Sequence, residues 1–355
     1  MINKRFRLLS FLVASLAVLN LIPVQSEAQT TKFKIKTAVN PGVSSNLALL
    51  VAFENGYFAS EGVDLTVQKY NGSSVTQMPF LARGDIDIAL IVAGPGLFNQ
   101  QTDGFDTKLV ASVSEPNAEW QDSSWLLVRK DLWDSGLIRR LSDLKGRVVD
   151  GGTAGSANSM LLNQALLVAG LTRNDVKYSS KIRAADGFAA FRNNAVDVLS
   201  SVEPTVGEMV EQGLAVRLAS SHNVMPWYQE SYYAASSDWL KKNGPAATAF
   251  LKAYLHGVKD IISNGPKWSL DHAKIMAKWS GIPIETITKL PSPPYFGQQG
   301  EMRLEALVKQ QAFWVSDGFV KTPIDAASLI EDRYLAEARN CLLYTSPSPR
   351  DQRGS

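Results

Sequence analysis

Apolar and polar residues alternate with period two across FKIKTAV (Phe33 to Val39), then recur at helical spacing across NLALLVAFENG (Asn46 to Gly56). Asn40-Pro41-Gly42 ends the predicted strand, and Ser44, Ser45 or Asn46 is placed to cap a helix that stops at Gly56. VDLTVQKY predicts a second strand, Asn71-Gly72-Ser73 a turn, and SVTQMPFLAR a helix with Val75, Met78 and Leu81 or Ala82 inward. Pro79 has no N–H to give that helix, which is therefore expected to be short or kinked. DIDIALIVAG is a buried strand, Pro95-Gly96 opens another helix, and KLVASV is a fourth strand. EPNAEWQDSS has no period and reads as a linker, after which WLLVRK starts a new series.

That series continues with RLSDLKGRVVDGG, whose strand Arg147 to Asp150 runs into the small-residue loop DGGTAGSANSM. The helix NSMLLNQALLVAG places Leu161, Leu162, Ala165, Leu166 and Ala169 on one face and ends at Gly170. DGFAAFRNNAVDVLSSVEP reads as helix then strand, AVRLAS as a strand, and YYAASSDWL resumes an apolar run. From Ala246 to Ala338 the pattern is amphipathic helix, broken at Gly265-Pro266, Gly281-Ile282-Pro283 and PSPPYFG. No repeat of fixed period occurs. Short strands alternating with helices predict α/β architecture with parallel sheets covered by helices.

The two ends of the chain change the bookkeeping. Lys4, Arg5 and Arg7 precede an apolar run from Leu8 to Ile22, and Ser26-Glu27-Ala28 suits cleavage, so residues 1–28 are expected to be a secretory signal peptide. CLLYTSPSPRDQRGS (341–355) breaks from the helical pattern, resembles a reading frame of a sequencing adapter, and is expected to be a non-native tail. Removing Lys4, Arg5, Arg7, Arg350 and Arg353 from 36 basic residues, and Glu27 and Asp351 from 34 acidic ones, leaves a net charge of about −1. Such a chain has no clustered positive charge for nucleic acid or anionic membrane. The single cysteine, Cys341, falls in the tail, so no disulfide and no lipidated cysteine are expected, and a freely soluble periplasmic product is. Residues 29–340 suffice for two α/β domains.

Catalytic chemistry lacks parts. His222, His256 and His272 are spaced so that no two share a helical turn, which argues against a metal site. There is no G-x-S-x-G elbow, and Asp85 and Asp87 read as strand-opening and structural. In the loop, Gly155 is followed by Ser156 rather than by the lysine of a phosphate-binding loop. Two readings remain for it: a helix N-terminus whose backbone donors and hydroxyls hold a polar or anionic group, or a simple turn with an N-cap.

The segments ENGYFASEGVDLTV, NGSS, LARGDIDIAL, LSDLKGRVV, GTAGSANSMLLNQALLVAGL, NNAVDVLSSVEP and FWVSDGFVKTPID occur in an order that resembles the periplasmic solute-binding proteins of ABC importers. The resemblance is to the group related to aliphatic-sulfonate, taurine and nitrate binders and to pyrimidine-precursor (thiamine-synthesis-like) proteins. It implies a two-lobed type II periplasmic-binding-protein fold, each lobe a mostly parallel sheet flanked by helices, with two hinge crossings near Pro116 to Lys130 and His222 to Ser236. Lobe 1 would be 29–120 plus 228–340, and lobe 2 would be 121–227.

Ligands of open α/β sheets bind beyond the carboxyl ends of strands. The resemblance therefore implies a cleft formed by Asn40, Ser44, Ser45, Asn46, Ser73, Ser74, Gly94 and Pro95 of one lobe and Thr153, Gly155, Ser156 and Ala157 of the other. Glu203, in a Glu-Pro pair the group repeats, either meets ligand or caps backbone. Trp120, Trp227 and Tyr228 can stack on ligand, whereas Trp125 starts a strand and reads as core. With no Arg or Lys in these loops, a monoanion or neutral heterocycle is favoured over a dianion. The implied protein is a monomer without cofactor that captures a small organic solute, sulfonate- or pyrimidine-like, for an inner-membrane permease. The alternatives are a pyrimidine-precursor synthase on the same fold, which would need cysteines this chain lacks, and a periplasmic sensor.

Overall fold

The computed structural model describes residues 33–345 apart from 42, 73, 121, 123, 184 and 185. The expected leader, Ser73 and residues 346–355 lie outside the described residues. The strands, in chain order, are β1 (Phe33–Val39), β2 (Val63–Lys69), β3 (Ile88–Val92), β4 (Thr107–Ser114), β5 (Ser124–Arg129), β6 (Val148–Asp150), β7 (Lys177–Ser179), β8 (Val198–Val202), β9 (Ala215–Ser220) and β10 (Ser231–Ser236). They form two five-stranded sheets, ordered β2-β1-β3-β10-β4 and β7-β6-β8-β5-β9.

In each sheet one strand opposes the other four. β1 pairs parallel with β2 and β3, while β10 is antiparallel to both β3 and β4. β6 pairs parallel with β7 and β8, while β5 is antiparallel to β8 and β9. The two reversed strands are the ones that follow a crossing between sheets. A chain leaving β4 or β9 at its carboxyl end enters the other sheet from that same side and must run away from it, against the strands whose carboxyl ends face the gap.

Most elements follow the periodicity. β1 spans the alternating segment, and Leu161, Leu162, Ala165 and Leu166 are buried on the helix Ala157–Val168. Pro79 sits at the start of the short helix Met78–Arg83, preceded by a 3-10 turn Ser74–Gln77; Met78 and Leu81 point inward and Ala82 is exposed. The capping expectation at the first helix is corrected. Ser44–Asn46 form a 3-10 turn leading into Leu47–Glu54, and none of their side chains makes a cap hydrogen bond. Ser45 and Asn46 are instead buried, with Ser45 Oγ 3.2 Å from Ser114 Oγ and Asn46 Nδ2 donating to the Asn40 carbonyl at 2.9 Å.

The helical region starts earlier than the apolar period suggests, at Ser237, because Ser236 Oγ accepts from Trp239 N and caps it. Pro245 deprives this helix of a donor, and the backbone departs from helical geometry at Asn243 (φ −127°, ψ 29°). The last helix, Arg333–Thr345, runs past Asn340. Leu342 packs on the core of the first sheet, which gathers Ile35, Leu50, Phe250 and Tyr254. There the helix Leu47–Glu54 meets the long helix so closely that a Cβ at Gly257 would lie 2.2 Å from the Ala48 carbonyl oxygen. A second cluster runs from Ile91 and Leu109 of the first sheet to Leu126 of the second and Leu161 of the helix Ala157–Val168, and includes Trp314. Among the described residues, no helix is long and apolar enough to cross a membrane.

Candidate functional site

The two crossings that link the sheets meet at both ends: the backbone N–H of His222 donates to Asp122, and Glu230 N donates to the Ser114 carbonyl at 3.0 Å. A third segment joins them: Glu115 N donates to the Tyr295 carbonyl at 3.2 Å, and Phe296 bridges Ser114. These three segments enclose a cavity of about 30 Å³ whose lining includes the carboxylates Glu115, Asp122 and Glu230 and the aromatics Trp120, Tyr228 and Tyr295. The Trp120 and Tyr295 rings meet at a tilt, with centroids 5.7 Å apart.

The three carboxylates differ in their partners. Glu115 is compensated, since Oε2 lies 2.7 Å from Arg303 Nη2 and accepts from Gln229 Nε2 at 2.9 Å. Asp122 is buried and accepts the backbone N–H of His222. Glu230 accepts from Ser114 Oγ at 3.2 Å. Burial, followed by the negative charge of Asp122, pushes the Glu230 carboxyl above its ordinary value. Tyr228 is 4% exposed and its hydroxyl has no hydrogen-bond partner among the described residues. Burial, and then the Glu230 charge, raise that phenol well above its usual range.

Asp122 and Pro294 also line a second pocket of about 130 Å³ between the sheets, with Ser44 on one side and Glu203 and Pro204 on the other. Its wall is mainly apolar, from Trp268, Met276, Ile282, Ile287 and Leu290. Glu203, Pro204, Thr286 and Leu290 are shared in turn with an outer pocket of about 400 Å³ that carries Arg217 and Lys289. The three spaces form one series from the crossings outward.

The predicted site residues separate into groups. Ser44, Trp120 and Glu203 line this series, and so does Tyr228. Glu203 caps backbone: it accepts Gly207 N at 2.8 Å, pairs with Arg217 at 2.9 Å, and precedes a cis peptide to Pro204. Asn40 bonds the Gly72 carbonyl at 3.5 Å, and Ser74 Oγ accepts from Val92 N at 3.0 Å, so both tie loops together. Gly94 and Pro95 open the helix Pro95–Thr102.

The loop of Thr153, Gly155, Ser156 and Ala157 is outside the lining of these three pockets. It is held from beneath by Asp150, fully buried, which accepts Gly152 N, Lys181 N and Ser179 Oγ. Ser156 Oγ donates to the Thr153 carbonyl, and Gly155, at φ +75°, lies against Phe319 of the other lobe. Beside it Arg173 pairs with Asp317. Trp227 packs at the base of the helix Leu304–Ser316, with Lys309 Nζ 5.2 Å from its ring centroid. Trp125 is half-buried under Arg217 and donates Nε1–H to the Asp122 carbonyl at 2.8 Å.

Sequence reasoning missed Asp122, Glu230 and Tyr295. A readable signal existed for the first: EPNAEWQDSS holds three acids and a tryptophan and no base, an uneconomical composition for a mere linker. Tyr295 follows three prolines in PSPPYFG, which stiffen it, but nothing local says that this loop reaches the crossings.

Comparison with known proteins agrees with this architecture. A family model described as NMT1/THI5 like matches residues 44–267, and the chain belongs to the NMT1/THI5-like family. The fold is the two-lobed periplasmic-binding-protein fold. The periplasmic aliphatic sulphonate binding protein SsuA from Escherichia coli superposes with a TM-score of 0.66 at 20% identity, covering 84% of this chain and 92% of that one. The binding protein YtlA of Bacillus subtilis (strain 168) is 24% identical over an alignment of 247 positions that covers 66% of this chain and 70% of YtlA. The desulfurization enzyme DSZB shares the fold as well, with a TM-score of 0.59 and 17% identity over 88% of this chain and 100% of that one.

Proposed function

We propose that this protein is the periplasmic solute-binding component of an ABC importer, closing two lobes on a small organic solute and presenting it to a permease. The observation that carries the reading is the series of pockets between two sheets, reached by both crossings and by loops at strand carboxyl ends. The lobes of this clamp are 29–120 with 228–340, and 121–227, in a monomer released from residues 1–28.

Membership in a family whose fold serves both binders and an enzyme makes the absence of chemistry a part of the proposal. The one cysteine, Cys341, is exposed on the last helix and does not line the pockets. Glu203, which lines the outer pocket with Glu208 and Glu211, is engaged with Arg217 and Gly207. Capture without conversion is tested by a thermal-shift screen of the purified protein against sulfonates, nitrate, pyrimidines, flavins, aromatic acids and amines. A solute at 100 times its dissociation constant adds about 2.7 kcal/mol. The reading requires a compound that raises the melting temperature, compacts the protein in small-angle scattering, and is recovered unchanged; turnover without a partner protein would overturn it.

A further inference from the structure

We propose that the solute is an organic cation, an ammonium group on a short apolar tail, with its head at Asp122 and Glu230 and its tail between the lobes. The proposal rests on the solute-binding reading above and assigns the charge of the solute.

The cavity at the crossings is negative without compensation. Of the three carboxylates at the cavity, Glu115 is paired with a base, Arg303. Asp122 and Glu230 meet no lysine, arginine or histidine side chain at ion-pair distance among the described residues, and neither does any base line the two inner pockets. Leaving two neighbouring carboxylates, Asp122 buried and Glu230 half-buried, without a base is costly, and the cost is removed by a cation that binds both. Independently of the carboxylates, Tyr228 presents to the same cavity, beside Glu230, a buried hydroxyl with no partner among the described residues, an acceptor for an N–H. Trp120 and Tyr295 add aromatic rings to the lining of the same cavity, and aromatic faces attract ammonium.

Size fixes the rest. The inner cavity, about 30 Å³, holds no more than a head group. The adjoining pocket of about 130 Å³ has an apolar wall and approaches the ~150 Å³ that accommodates a benzene ring. A sulfonate in the same position would face two carboxylates, so the charge preference is opposite to that named for the SsuA neighbour.

The experiment is calorimetric titration of the purified protein at pH 8 with 2-phenylethylammonium and with 2-phenylethanesulfonate, which share a tail and differ in charge. The ammonium compound is expected to bind at least tenfold more tightly. Glu230→Gln and Asp122→Asn should each weaken it at least tenfold while the melting temperature of the free protein holds or rises, and Tyr228→Phe should weaken it less. Tighter binding of the sulfonate, binding of neither, or an ammonium affinity untouched by both carboxylate variants overturns the assignment. A sulfonate that binds and compacts the protein removes the cation and leaves solute capture standing; failure of every compound in the wider screen removes both.

Discussion

Asp122 and Glu230 reach one cavity from opposite crossings, Asp122 two residues before β5 and Glu230 immediately before β10. Each therefore sits where a rotation of the lobes changes the space between them. The pair is held by the fold rather than by each other, since the charge of Asp122 works against ionisation of Glu230.

Neutralising one member should stabilise the empty protein. Glu230→Gln keeps an acceptor for Ser114 and removes the repulsion, so its melting temperature is expected to rise by about 1–3 °C at pH 8. Differential scanning calorimetry of both proteins without ligand checks this, and a fall of several degrees would assign Glu230 a structural role.

The pH dependence follows from the sign of the shift. Because the Glu230 pKa is raised in the folded state, its favourable contribution is complete below the ordinary carboxyl range and is lost as pH rises through the raised value. The groups facing it are Asp122, Tyr228 and Ser114, with the Glu115–Arg303 pair behind and His222 donating its backbone N–H to Asp122. Binding of an ammonium ion requires the charged form, so its affinity should climb with pH across the same window and then level off. Titrations from pH 4.5 to 8.5 in buffers of different ionisation heat would also register proton release in the acid limb.

Arg173 and Asp317 join the lobes beside Gly155 and Phe319. Arg173→Ala removes a partly exposed ion pair worth about 0.5–1 kcal/mol, available only when the lobes meet. A two- to fivefold loss of ligand affinity is expected, with a larger radius of gyration for the free protein. Unchanged values of both would mean that this contact does not bias closure.

Gly257 faces the Ala48 carbonyl at a distance no Cβ tolerates. Gly257→Ala must push the helices apart and should cost roughly 1–3 kcal/mol. Chemical denaturation reads that loss, and an unchanged midpoint would mean that the two helices can part at no cost.

The sequence carried the strands and helices that repeat a period over six or more residues, such as β1 and the helix Ala157–Val168. It did not carry β7, because three residues, Lys177–Ser179, contain no measurable period and exist as a strand through pairing with β6. The site was half legible for a related reason. Loops after strands can be enumerated along the chain, which named Ser44, and the resemblance added Trp120 and Glu203; all three line the candidate pockets. Whether a loop residue faces the gap or braces its own lobe depends on partners far away in sequence. Glu203 is engaged by Arg217, and Ser45 by Ser114. Glu230 and Tyr295 become neighbours of Trp120 only after the chain has visited the second sheet and returned.

That return has a consequence for the order in which the molecule can assemble. β10 lies between β3 and β4, so the first sheet stays divided until residues 231–236 arrive, whereas every strand of the second sheet belongs to one uninterrupted stretch from Ser124 to Ser220. Ring closure over more than a hundred residues separates β4 from its neighbour β10, a slow step compared with the pairings of the inserted lobe. The middle of the chain can therefore be native while its two flanks are still searching for each other, and the cavity, which needs both, is the last part of the protein to come into being.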